Sequence, residues 1–312
     1  LALLLGGERF ATVEVEIYRL VAYELDMARA SVLVWLVLAA TAAAGGLYAY
    51  WSRRVAVDKS VSPLPPRAPV RAWEKWLTAT VLAMLVLCCL LPLAAVWLKA
   101  AAAGSSWAVL LEAQTWAAMW NTIRFSAAAV AAATVLGVLY AAAARQMAWL
   151  RALMFLPFMV SPVCIAFGVL LLYPQWTASL WLLTATYALL AYPFVAKDVL
   201  AAWDGLPKDY AAAARTMGAN GFQTACYVTA PLLKPALRRG LTLASATCIG
   251  EFAATLFLSR PEWQTLTTLI YDYLGRAGAD NYGRAMVLTA VLTALALAAF
   301  LLVDEAEGQK AV

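Results

Sequence analysis

Enzyme chemistry needs nucleophiles, bases or metal ligands that can meet, and this sequence of 312 residues offers few. It contains no His, which removes His-based triads, His–zinc sites and haem ligation by His. Its five Cys residues stand at 88, 89, 164, 226 and 248. They lie in or near apolar runs and form no CxxC pair, so neither a metal cage nor a disulfide framework is expected. The sequence has no Gly-x-x-x-x-Gly-Lys-Ser/Thr loop to cradle a nucleotide phosphate. Catalytic residues, metal ligands and cofactors are therefore all assigned as none. One carboxylate stands out: Glu251, inside an apolar run and toward one end of it. A charge at membrane depth is costly, so it faces a bundle interior or an aqueous cavity and often marks a pathway. Glu251 either contacts a cationic cargo or a gate, or makes a structural hydrogen bond between helices near the interface. Ser161 lies between Pro157 and Pro162 in another apolar run. Proline removes a backbone hydrogen bond and kinks a helix. Ser161 and Pro162 thus either line or hinge a pathway, or set packing geometry.

The elements that must hold these residues are plain from composition. Apolar residues make up 64% of the chain and charged residues only 13%, against about 45–50% and about 25% in soluble domains. The excess falls in seven stretches, at 30–51, 76–98, 120–144, 152–173, 178–198, 238–258 and 285–303. Each is long enough for an α-helix to cross about 30 Å of hydrocarbon. Lipid supplies no hydrogen-bond partners, so the backbone must satisfy itself as helix. A membrane β-barrel would alternate polar and apolar residues, which Ala127–Ala133 and Ala141–Ala144 do not. The reading is an all-α polytopic membrane protein with about seven transmembrane helices. The Ala-rich 127–144 stretch and Gly45-Gly46 are expected to be close helix-packing surfaces.

The net charge of +5 does not indicate nucleic acid, because the basic residues sort by side of the membrane. Segments 52–75, 145–151, 197–239 and 304–312 hold fifteen of the twenty-three Lys and Arg. Segments 1–29, 99–119 and 259–284 hold seven, with half of the acids. The richer side is cytoplasmic by the positive-inside rule. The N-terminus is then outside and the C-terminus cytoplasmic. Trp51, Trp73, Trp76, Trp97, Trp107, Trp176 and Tyr173 near span ends read as interfacial belts. The outer-loop acids Glu8, Glu14, Glu16, Glu262 and Asp272 either meet an extracytoplasmic partner or form a solvated face.

An internal repeat organises the chain. Leu3-Leu4-Leu5-Gly6-Gly7-Glu8-Arg9-Phe10-Ala11-Thr12 parallels Leu256-Phe257-Leu258-Ser259-Arg260-Pro261-Glu262-Trp263-Gln264-Thr265. At the same offset of 253, Ile17-Tyr18 falls on Ile270-Tyr271. After a two-residue gap, Arg29-Ala30-Ser31-Val32-Leu33 meets Arg284-Ala285-Met286-Val287-Leu288. Each copy runs from an apolar end through a polar loop to a final span, as duplication would leave it. Residues 1–51 then read as the tail of a first half whose beginning lies outside this sequence. Residues 52–75, basic and holding Pro63, Pro65, Pro66 and Pro69, read as a semi-rigid cytoplasmic linker. Residues 76–303 read as a complete six-helix second half, and 304–312 as a cytoplasmic tail.

The longest cytoplasmic loop, 199–237, has its own design. Its core is Leu206-Pro207-Lys208-Asp209-Tyr210-Ala211-Ala212-Ala213-Ala214-Arg215-Thr216-Met217-Gly218-Ala219-Asn220. Pro207 suits a first helical turn and the Ala run has the best helix propensity. Asp209 and Arg215 complement the helix dipole. Gly218 fits the left-handed position that ends a helix, and Asn220 caps a second short helix over 221–229. Pro231 and Pro235 are expected to stop that helix before the next span. Small residues leave a smooth surface against which another protein can pack.

Here the chain resembles the inner-membrane permeases of binding-protein-dependent ABC importers. Their cytoplasmic signature is Glu-Ala-Ala, three residues, Gly, nine residues, Ile-x-Leu-Pro. Ala213-Ala214, Gly218 and Val228-Thr229-Ala230-Pro231 fall at that spacing. The Glu position is Ala212, and the Ile and Leu positions are Val228 and Ala230. The loss of Glu removes the polar contact it would make and leaves the helix, turn and proline framework. The resemblance implies a type I (MetI-like) transmembrane fold. It implies that Tyr210, Ala212, Ala213, Ala214, Gly218, Val228 and Pro231 dock on an ATPase subunit dimer. It also implies an extracytoplasmic substrate-binding protein, a first permease half, and a bacterial plasma (inner) membrane setting among lipid. Across nearly the whole chain it is similar to the fused thiamine and iron(III) permeases, through Gly6-Gly7, Ala11 to Tyr18, Trp120-Asn121-Thr122-Ile123 and Ile249-Gly250-Glu251-Phe252. The Gly-Glu-Phe turn looks thiamine-like, whereas Leu256 to Pro261 looks iron-like. ATP hydrolysis would then occur on a separate subunit. The alternative, an ion-gradient-driven secondary transporter, would want polar residues near the middle of several spans, where Glu251 alone is clear.

Overall fold

The computed structural model describes residues 12–24, 26–54, 71–154, 156–176 and 179–304. Residues 1–11 of the first repeat copy (with Gly6-Gly7 and Glu8), the linker prolines, and Glu305 and Glu307 of the tail lie outside the described residues. The described chain is helical throughout. In order, the helices are α1 (Val13–Ala22), α2 (Met27–Arg54), α3 (Ala72–Ala101), α4 (Ala113–Gln146), α5 (Ala148–Leu153), α6 (Leu156–Met159) and α7 (Pro162–Leu172). There follow α8 (Leu180–Gly205), α9 (Lys208–Thr216), α10 (Gly221–Thr224), α11 (Ala230–Ile249), α12 (Ala253–Leu258), α13 (Leu266–Gly275) and α14 (Ala279–Asp304).

Five helices among the described residues are long and apolar enough to cross a membrane: α2, α3, α4, α8 and α14. They carry five of the seven expected stretches. The other two are broken. The stretch 152–173 becomes α5, α6 and α7, because Pro157 and Pro162 each fall in the first turn of a new helix. A proline is tolerated there, where its missing N–H has no partner to lose. Ser161 caps α7, its Oγ accepting from the Val163 backbone N–H at 3.3 Å. The stretch 238–258 breaks at Gly250, which caps the end of α11, and α12 restarts three residues later at Ala253. α11 carries Lys234, Arg238 and Arg239 at its loop end. The two broken spans pack on each other through α7 and α12.

Helix α8 is the hub, with α4 and α11 packed on it. The buried face of α4 is small, with Ala129, Ala133, Gly137, Ala141 and Ala144 at three- and four-residue spacing. That spacing puts them on one stripe. Against it lie Tyr187, Ala191, Tyr192, Val195 and Val199 of α8. The Ala-rich stretch is thus a packing surface. At Gly46 no atom of the described residues comes within 4 Å of a built Cβ. The expected interfacial Trp and Tyr side chains are all exposed.

Val195 sits between two glycines. A Cβ built on Gly137 would lie 2.7 Å from the Val195 Cβ, and one on Gly240 would lie 2.7 Å from the Val195 Cα. The second clash is with backbone, which cannot turn aside. Replacing Gly240 by Leu is therefore expected to force α11 off α8 and cost about 1–3 kcal/mol or more. The check is thermal unfolding of the detergent-purified chain, with Gly46→Leu as a control that leaves the midpoint unchanged.

Candidate functional site

Helix α8 ends at Gly205, and α9 begins after Pro207, whose backbone is extended and serves as the cap position. Pro207 therefore precedes the first turn rather than joining it. Asp209 lies in the first turn of α9 and Arg215 in the last. Gly218 then takes φ 86°, and the turn closes with Gly218 N–H donating to Arg215 O and Ala219 N–H to Ala214 O, both at 3.0 Å. A residue with a Cβ is strained at that φ. Asn220 makes a reciprocal cap with Gln223: its Oδ1 accepts from the Gln223 N–H at 2.8 Å, and its own N–H donates to Gln223 Oε1 at 2.9 Å.

The expectation of a separate helix over 221–229, stopped by Pro231 and Pro235, is corrected here. α10 runs through one wide π turn, Ala225–Thr229, straight into α11. The wider i→i+5 pattern absorbs the bond that a proline cannot make. Pro231 lies in the first turn of α11 and Pro235 inside it. The segment 206–229 is thus a short arm whose second helix runs on into α11 without a break.

Behind the arm lies a groove of about 420 Å³, lined by Tyr210, Ala212, Arg215 and Val228 from the arm, and by Arg145 and Trp203 from the bundle. Tyr210, Ala212 and Val228 are thus brought together. Ala213, Ala214, Gly218 and Pro231 shape the arm without lining the groove. The base of the arm is clamped. Arg151 holds Asp204 through two bonds at 2.7 and 3.2 Å and donates Nε to Ala144 O at 2.9 Å. Arg145 lies 4.8 Å over the Trp203 ring. The clamp ties the ends of α4, α5 and α8 together at the point where the arm leaves. Sequence reading counted Arg145 and Arg151 only as topogenic charges. It also missed the outer face of the arm, where Met217 is 89%, Phe222 76% and Tyr227 78% exposed. Large apolar residues beside Gly218 in a polar loop were the available signal, because such exposure marks an interaction surface.

Glu251 is 8% exposed and stands at the break between α11 and α12. Its Oε1 accepts from the Ala254 N–H at 3.1 Å, so the carboxylate caps α12. Its carbonyl accepts from Thr267 Oγ1 at 3.0 Å and from the Tyr187 hydroxyl at 3.4 Å. This geometry supplies the structural alternative for Glu251. Ser161 and Pro162 open α7, which packs on α12, so both candidate pathway positions sit at adjoining helix breaks. At the same end, Arg284 pairs with Glu112 at 2.6 Å and with Asp280 at 2.9 Å, and Glu112 also accepts from the Tyr273 hydroxyl. Burial, and then that hydrogen bond, push the Tyr273 phenol above its ordinary range. Of the loop acids singled out in the sequence, Glu16 is paired with Arg19, and Asp272 accepts from Gln264.

The described helices form a bundle with five members of membrane-span length and an arm that continues into α11. The chain belongs to the family described as binding-protein-dependent transport system inner membrane component, which matches residues 133–304. It is an ABC importer inner-membrane permease. It is 27% identical over 196 residues to a protein of Salmonella typhimurium described as a 2-aminoethylphosphonate transport system permease, spanning 60% of this chain and 73% of that protein. It is 32% identical over 164 residues to a sulfate transport system permease protein of Escherichia coli, spanning 47% of this chain and 58% of that protein. The fold is similar, with a TM-score of 0.62 and 17% identity, to a solved bacterial ABC transporter involved in the import of the acidic polysaccharide alginate. That match covers 78% of this chain and 100% of the other.

Gln in place of Glu251 keeps the side-chain carbonyl that accepts from Ala254 and removes only the charge. Glu251→Gln is expected to leave expression and thermal midpoint unchanged while clearly lowering uptake in cells, as the loss of a pathway charge would. Undiminished uptake would assign the carboxylate to helix capping alone.

Proposed function

We propose that this chain forms the translocation pathway for a small solute delivered by an extracytoplasmic binding protein, and that a separate ATPase dimer drives it through the arm at 206–229. In this reading residues 76–303 are one permease half, residues 1–51 belong to the other, and the arm and the C-terminus face the cytoplasm. The observation that carries it is the arm's construction. A helix stopped by left-handed Gly218 presents Met217, Phe222 and Tyr227 outward, while its continuation through the π turn into α11 gives any push a stiff path into the bundle. The positive-inside distribution supports the cytoplasmic placement. Arg145 and Arg151 at the base of the arm fit it as well.

For cargo, the resemblance of Ile249 to Phe252 and of Leu256 to Pro261 to the thiamine and iron(III) permeases favours one of those two solutes. The relatives' phosphonate and sulfate widen the set to be tried. Cargo choice rests with the binding protein, so thermal-shift screening of that partner against thiamine, iron(III), sulfate and 2-aminoethylphosphonate decides among them.

Gly218→Trp tests the arm. A Cβ at φ 86° costs about 1–2 kcal/mol, and the indole would stand on the docking face. The variant is expected to insert in the membrane normally and to lose co-purification with the ATPase. Retained ATPase binding would contradict the proposal, as would uptake driven by a proton or sodium gradient in ATP-depleted vesicles.

A further inference from the structure

The repeat makes a geometric demand that the structure allows to be followed. The offset of 253 that pairs Ile17-Tyr18 with Ile270-Tyr271 carries α1, Val13–Ala22, end to end onto α13, Leu266–Gly275. Thr12 and Thr265 take the same cap position. The inward residues correspond too: Ile17 and Leu20 are buried in one copy, Ile270 and Tyr273 in the other. Each short helix then leads into a long span, α2 or α14, with an acid and an arginine paired at its start: Asp26 with Arg29, and Asp280 with Arg284.

Tyr18 and Tyr271 therefore hold equivalent places in the two copies. Both lie against aromatic residues in α12 or at its cap position. The Tyr18 ring stands edge-on to Phe257 at 5.7 Å and to Tyr23 at 6.0 Å, and Tyr271 lies 5.2 Å from Phe252. The Tyr18 and Tyr271 hydroxyls are near enough that each shifts the other's ionisation, on top of burial that raises both phenols. In a two-fold arrangement, residue i of one half meets residue j of the other, and equivalent residues meet each other only on the axis. These rings also join the helix breaks. Phe252 follows Glu251, and α1 packs on α7 through Ile17, Leu20, Val21, Cys164 and Phe167. α11 climbs from the arm for twenty residues, about 30 Å, before reaching Phe252. These rings thus sit at the end of the bundle away from the arm.

We propose that Tyr18 and Tyr271 meet on the pseudo-two-fold axis between the permease halves and, with Tyr23, Phe252 and Phe257, close the translocation pathway at its extracytoplasmic end. The inference rests on the importer reading. Aromatic rings packed edge to face exclude water and ions when together. Their seat on short helices beside the two helix breaks lets them part without unfolding a span.

The test uses the full permease assembled with its ATPase in proteoliposomes. Cys88, Cys89, Cys164, Cys226 and Cys248 are first replaced, and Tyr18→Cys and Tyr271→Cys are then introduced together. Copper phenanthroline is expected to join the pair in the nucleotide-free state, as read by mass spectrometry of the linked peptides. Joining should lower ATP hydrolysis about tenfold, reversibly with dithiothreitol. In the vanadate-trapped complex the yield should fall sharply as the gate opens. Failure to join, equal yield in both states, or undiminished hydrolysis after joining would overturn the gate. Loss of ATPase binding or of hydrolysis in the Cys-replaced parent would instead count against the importer reading itself.

Discussion

Val195 held between Gly137 and Gly240 is the contact on which the rest of the bundle depends. It fixes how closely α4, α8 and α11 approach, and these three helices carry both ends of the working parts. α8 leads into the arm, α11 receives it back, and α4 supplies Ala144, Arg145 and the groove wall. Helix association in lipid gains little from hydrophobicity, so close packing through small residues must supply it. Gly at two of the three partners is what lets backbone approach backbone.

From that crossing the helices are rigid in the middle and broken at one end. α7 and α12 restart beside each other, and each restart is satisfied locally: Ser161 accepts from Val163, and Glu251 from Ala254. Irregular backbone at membrane depth is tolerated only where protein or a cavity supplies such partners. The opposite end, with its Arg151–Asp204 clamp, is stiff up to the point where the arm begins. A bundle stiff at the arm and jointed at the far end suits the proposed transmission of movement from one face to the other.

Much of this was legible in the sequence because lipid makes strong demands. Apolar runs of span length, the Ala stripe of α4, and the Asp209, Gly218 and Asn220 punctuation all follow from local chemistry. The correspondence of α1 with α13 was visible in Ile17-Tyr18 and Ile270-Tyr271 alone. What could not be read locally was continuity. Pro157 and Pro162 looked like kinks within one span, yet each starts a helix, because a proline is cheaper in a first turn than in an interior. Pro231 looked like a stop, yet the π turn before it carries the helix through. The exposure of Met217, Phe222 and Tyr227 was hidden for a different reason: apolar residues are ambiguous until the fold shows what covers them. Arg145 and Arg151 were hidden because their partners, Trp203 and Asp204, are more than fifty residues away.

Hydrogen–deuterium exchange on residues 206–229 measures the central claim most directly. The comparison is between the permease alone and the permease bound to its ATPase, in the same lipid nanodiscs. The account predicts that amides from Tyr210 to Tyr227 become strongly protected when the ATPase binds, while α3, on the periphery, is unchanged. Equal exchange in both states, or protection confined to the opposite end around Glu251 and Tyr271, would contradict it.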